Sequence, residues 1–359
     1  MRHLIPTLIT IMIASLLCCL PASAVELLVN EGEPGDDDAL AISLVVLDPG
    51  IEAHTSRDRQ QGIYPEIRNA EASYLPYAMR RTLVDSNHWG AVRVLPDAET
   101  SAEILVTGRI LRSDGVEIAL ALTARDSRGR IWFDREFQIT ATDDAYQAAN
   151  RRLRRPFQDL YNEVANQLLS FRQQLSRQEL DTIRRVARLR YAITLAPNAF
   201  DNFLALDEQG EYRIRRLPAE DDPMMARINR IREQEYLFID TTDEQYAELY
   251  TEMTPVYDLW RQFQREQIVY RTAYEARLAK REKPQSGSYQ GLKQTYNNYR
   301  WAKLQRQEMK LLAEGFDNEV APTSVVVEGT VFNLSGTLDQ RYREWQRILR
   351  EIFTLETGT

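Results

Sequence analysis

The sequence predicts an α+β protein: a small mixed sheet with one packed helix, ordered strand-helix-strand and then meander, followed by a larger, mainly helical domain with a hairpin and a carboxy-terminal strand and helix. Three observations predict it. Apolar runs of period two, closed by Gly-ended turns, crowd the chain up to residue 142. Arg-, Gln- and Leu-rich segments with helical spacing fill the remainder. The 359-residue length exceeds a comfortable single core, so two domains are expected, at 25–142 and 143–359, behind a leader at 1–24.

In the leader, Arg2 and the terminal amine precede an apolar run from Leu4 to Leu20, and Pro21 ends it. Ala22-Ser23-Ala24 places small residues where a signal peptidase requires them, so the expected mature start is Val25 and the expected location periplasmic. The alternatives are an uncleaved signal anchor or lipidation at Cys18 or Cys19, neither of which combines a Leu three residues before it with a small residue immediately before it. The chain has 2 cysteines, both in the leader, so a cleaved chain has no disulfide, thiolate metal site or cysteine nucleophile. Lys+Arg 45 against Asp+Glu 53 give a net charge of −8; the leader holds one arginine, so cleavage leaves 44 against 53, or −9. That balance argues against a nucleic-acid partner.

The first strands are expected at Val25 to Val29 and Leu40 to Leu47, separated by an acidic stretch ending in Asp36-Asp37-Asp38. Calcium loops place oxygens at alternate positions before a later Glu, and this stretch does not, so it reads as a solvated turn. Ile67, Ala70, Tyr74, Met79, Leu83 and Val84 mark one face of a helix from Pro65 to Ser86, with Pro76 as a start or kink. A strand follows at Ala91 to Leu95. The meander is expected at Glu103 to Leu111, Gly115 to Arg125 and Arg130 to Thr140, joined through Asp114-Gly115 and Asp126-Ser127-Arg128-Gly129, where Gly would accept a positive φ.

The runs Ala72-Ser73-Tyr74-Leu75-Pro76-Tyr77, Trp89-Gly90-Ala91-Val92-Arg93-Val94, Ala102 to Ile110 and Asp126-Ser127-Arg128-Gly129-Arg130-Ile131-Trp132 carry a family likeness. Together they resemble the anticodon-binding-like module of bacterial envelope proteins, shared by curli secretion lipoproteins, the amino-terminal domain of the Tol-Pal periplasmic component and penicillin-binding-protein activators. The resemblance covers roughly residues 40–140 and implies a helix-backed sheet. Because partners vary across the family, it implies no particular one.

In the second half, Leu160, Val164, Leu168 and Phe171 form one helical stripe, and Ile183, Val186, Leu189 and Ile193 another. A hairpin is expected from Phe203 to Leu217 around Asp207 to Gly210. Asp222-Pro223 starts a helix, expected to run to Met253, restart after Thr254-Pro255 and reach Lys283. A further helix is expected at Ser288 to Glu314, a strand from Ser324 to Phe332, and a last helix capped by Gly336-Thr337, with Leu338, Tyr342, Trp345, Leu349 and Ile352 on its apolar face.

Motifs for chemistry are sparse. His54 and His88 each stand alone, so neither a zinc site nor any other metal site is expected. Ser286 lies in an interhelical loop without an elbow motif, and no phosphate loop or other cofactor signature occurs. Glu233, Glu235, Asp240, Asp243, Glu244 and Glu248 are dense enough to supply a carboxylate pair for glycan hydrolysis, although interspersed arginines favour solvated helix faces. Tyr257, Trp260, Tyr270 and Tyr274, with Phe263 between them, would either stack on glycan or fill a helix seam. Arg151, Arg152, Arg154 and Arg155 offer a docking knot for lipid headgroups or an acidic partner. The leading expectation is a non-catalytic periplasmic accessory or scaffold protein docking to envelope proteins, with at most peripheral membrane contact. The alternative is a peptidoglycan-binding or -hydrolysing protein that uses carboxylates and aromatics of the helical half.

Overall fold

The computed structural model describes residues 24–32, 39–51, 64–99, 101–146, 155–279, 307, 323–327 and 330–358. Residues 1–23 of the expected leader, the turn expected at Asp36–38, His54, Arg151, Arg152, Arg154, Ser286 and the helix expected at 288–314 lie outside them, as does the side chain of Tyr274. Among the described residues no helix is long and apolar enough to cross a membrane.

The expected mixed sheet forms from β1 (Ile42–Val45), β2 (Val92–Leu95), β3 (Ile104–Ser113), β4 (Glu117–Asp126) and β5 (Ile131–Thr140) in the order β2-β1-β3-β4-β5. β1 pairs in parallel with β2 and β3, and the remaining pairs are antiparallel. The segment 25–29 is not a strand. Side-chain amides of the following helical region hold it instead: Asn162 donates to the Val25 carbonyl at 2.8 Å, and Asn166 bonds Glu26 and Leu28.

Helix α1 (Pro65–Ser86) is buried on more than one face, because it lies between the sheet and later helices. Val84 is the exception to its expected face, at 51% exposed. Pro76 neither starts nor breaks it. A proline lacks the N–H that the carbonyl four residues back would accept, and the Ala72 carbonyl takes the Leu47 N–H instead, at 2.9 Å. Helix and sheet are thereby joined at the proline.

The two hairpin glycines differ. Gly129 has φ +94°, as its turn requires, and Asp126 closes that turn by accepting from the N–H groups of Arg128 and Arg130 and from the Trp132 indole. Gly115 is not at positive φ. It is needed for space: a Cβ there would lie 2.2 Å from the Arg261 carbonyl oxygen and 2.2 Å from the Arg265 nitrogen.

The helical half comprises α2 (Gln158–Arg172), α3 (Arg177–Leu195), the strand pair β6 (Leu204–Leu206) and β7 (Tyr212–Ile214), α4 (Pro223–Ala279), the strand pair β8 (Thr323–Val327) and β9 (Thr330–Leu334), and α5 (Leu338–Thr357). Two expectations are corrected. α4 runs unbroken through Pro255, because Tyr250, Met253, Tyr257 and Trp260 bury a continuous face on both sides of it. The strand expected from 324 to 332 with an interruption at Gly329 is an antiparallel pair, with Val327 opposite Thr330. The expected cap of the last helix is present: Thr337 and Gln340 form a reciprocal capping box.

One core gathers the sheet, α1, α2, the start of α3 and residues Tyr246 to Trp260 of α4. A second gathers the rest of α3, Phe200 to Leu204, residues Met225 to Ile239 of α4, and α5. Apolar packing therefore continues across residue 142, and α4 is the spine common to both cores.

Candidate functional site

Val45 pairs with Leu95, whereas Ile42 pairs with Ile104, so the connection between β2 and β3 must return along the length of β1. That return carries Glu99 and Ser101 to the place where α3, α4 and α5 meet. A half-open cavity of about 210 Å³ lies there, lined by Asp97, Glu99, Ser101, Tyr191, Thr194, Leu195, Glu235, Tyr342, Leu349 and Arg350 among others.

Its polar wall centres on two carboxyl groups. Glu99 accepts from Ser101 Oγ at 2.6 Å and from the Tyr342 hydroxyl at 3.3 Å. Glu235, 2% exposed, accepts from Gln346 Nε2 at 3.0 Å, and its charge acts on the hydroxyls of Tyr191 and Tyr342 beside it. Tyr342 thus bonds one acid and lies beside the other. Among the described residues no ion pair reaches either carboxyl; Arg232 acts on Glu99 only through its field. Burial, followed by repulsion from Glu235, pushes the Glu99 carboxyl up to about 7. Burial and the neighbouring carboxylates likewise push the Tyr191 and Tyr342 hydroxyls far above their ordinary range.

The acid-rich stretch of α4 is otherwise dispersed. Asp240 makes a bidentate pair with Arg93 at 2.7 and 2.9 Å. Asp243 is 1% exposed and accepts from the Tyr77 hydroxyl and the Val94 N–H, each at 3.1 Å, with Arg80 at 3.4 Å. Burial pushes its carboxyl up to about 7 despite Arg80. Glu233, Glu244 and Glu248 are exposed.

The aromatic row divides as well. Trp260 is 0% and Tyr257 5% exposed, so their rings fill the seam and offer no face to a sugar; Tyr270 is 68% exposed. Tyr257 donates to Glu71, which also pairs with Arg68 and Arg261. Of the arginine knot, the described member Arg155 points into the fold and donates to the Tyr250 hydroxyl at 2.7 Å. His88 is half-buried, and burial with nearby Arg172 lowers its pKa.

Of the cavity residues, Glu235 belonged to the expected acid pool and Tyr342 to an expected apolar face. Glu99 and Tyr191 gave no local signal, because a turn-rich connection and a helix seam acquire this chemistry only when brought together. Among the described residues no group of three His, Cys, Asp or Glu side chains could hold a metal ion. No family model matches the chain, and no curated protein or solved structure matches it.

Proposed function

We propose that the chain is a non-catalytic accessory protein of a bacterial cell envelope, docking to an assembly there through the cavity bounded by Glu99 and Glu235. One observation carries the reading: two inward carboxyls without an ion pair line a solvent-connected cavity, whereas buried Glu71 and Asp243 pair with arginine and buried Asp126 is closed off inside its turn by two backbone N–H groups and the Trp132 indole. A desolvated acid couple without an ion pair favours an incoming cation. The leader at 1–24 supports the envelope location. The test is capture from envelope extract by wild type and by a folded Glu99→Gln/Glu235→Gln variant. Binders lost only with the variant support docking through the cavity; an identical set of binders overturns it.

A second reading has its own support. A glycosidase needs one carboxyl protonated near neutrality beside another that is ionised, and Glu99 is pushed up to about 7 beside Glu235. In that reading Glu99 is the acid and Glu235 the base or nucleophile. Muropeptide release from purified peptidoglycan, abolished by either single Gln substitution, would establish it and overturn the non-catalytic reading.

A further inference from the structure

We infer that the cavity receives an amino-acid-like zwitterion, its ammonium group held between Glu99 and Glu235 and its carboxylate met by Arg350. The inference rests on the binding reading above and names the chemistry of the bound group. Glu99 and Glu235 supply negative charge at the inner wall, and an ammonium offers three donors to their oxygens while relieving the repulsion between them. Arg350 lines the same cavity, is exposed and makes no ion pair among the described residues. The other charged lining residue, Asp97, is engaged by Arg343 at 3.3 Å, so it does not neutralise Arg350. A lone anion would meet two carboxyls, and a diamine would set its second charge against Arg350; a molecule carrying both signs satisfies both ends. Leu195 and Leu349 leave apolar wall for the ligand's carbon skeleton.

This chemistry has two sources: a free amino acid, or the carboxy-terminal lysine of a partner chain. Calorimetric titration of the folded chain distinguishes them with L-leucine for the first and Nα-acetyl-L-lysine for the second. Isopentylamine and 4-methylpentanoate serve as single-charge controls for L-leucine, and N-acetylcadaverine and Nα-acetyl-L-leucine for the other probe. We expect one zwitterionic probe to bind at least about tenfold more tightly than either of its controls. Arg350→Gln should reduce the binding zwitterion to the level of its amine control and leave that amine unchanged. Because Arg350 is exposed, this variant keeps its fold, and its melting temperature checks that. Glu99→Gln/Glu235→Gln should abolish binding of both. Failure of both zwitterions to bind, equal binding of amine and zwitterion, or indifference to Arg350→Gln would each overturn the inference. If none of the probes binds while partner capture still requires Glu99 and Glu235, the zwitterion fails and the docking reading stands. Glycan release through the same pair overturns the docking reading itself.

Discussion

Two buried acidic clusters in this molecule are built from similar residues and reach opposite electrostatic states. At the junction of α1, the β3-β4 turn and α4, Glu71 lies 3.2 Å from Arg68 and 3.2 Å from Arg261, and Tyr257 bonds both Glu71 and Arg261. Arg261 also reaches the Ser113 hydroxyl and the Asp114 carbonyl. Every charge there has a counter-charge, and Arg261 and Glu71 are almost wholly excluded from solvent. At the cavity, Glu99 and Glu235 have tyrosines, a serine and a glutamine but no arginine in an ion pair. The first arrangement satisfies itself and fixes the packing of the two halves. The second is left with an electrostatic deficit that a ligand can fill.

The largest effect expected from breaking this comparison is at the closed cluster. Arg261→Met leaves Glu71 buried with Arg68 alone and should destabilise the chain by about 3 kcal/mol in urea denaturation. Gly115→Ala attacks the same junction sterically, since the added methyl meets the α4 backbone, and should cost about 2 kcal/mol in the same measurement. At the open cluster, Glu235→Gln keeps the shape and removes one of two repelling charges, so its effect should stay within about 1 kcal/mol. Tyr270→Ala, on the exposed end of α4, should change stability by no more than about 0.5 kcal/mol.

The pH dependence of stability sharpens the contrast. Glu99 and Asp243 are pushed up to about 7 in the folded state, mainly by burial, whereas unfolded carboxyls titrate at about 4. Between those values the folded chain holds protons that the unfolded chain has released, so stability falls as pH rises from about 4 to about 7 and levels off above. Thermal melts across this range should show the decline, and Glu99→Gln and Asp243→Asn should each flatten part of it. A wild-type profile that instead rises over the same window would contradict both assignments.

Much of the fold was legible in the sequence because its signals are local. The period-two runs located β2 to β5, and Gly336-Thr337 marked the start of α5. The errors arose where a distant contact overrides a local rule. Pro76 and Pro255 both read as interruptions, yet the Leu47 N–H occupies the carbonyl left free by the first, and a buried aromatic face carries α4 through the second. Gly115 read as a turn glycine and proved to be a close-approach glycine. The site was only partly legible. Glu235 was one of six acids in its stretch with nothing to set it apart, and nothing near Glu99 in sequence announces that its connection runs back along β1 to meet α3, α4 and α5.

The central claim is that Glu99 and Glu235 line the cavity without an ion pair, and that burial and repulsion from Glu235 push the Glu99 carboxyl up to about 7. It is tested most directly by a carbon-13 NMR titration of glutamate-labelled protein between about pH 4 and pH 9. The account predicts a glutamate carboxyl titrating at about 7, absent from Glu99→Gln and moved towards the ordinary carboxylate range in Glu235→Gln. Titration of every glutamate near the ordinary value of about 4.3 would contradict it.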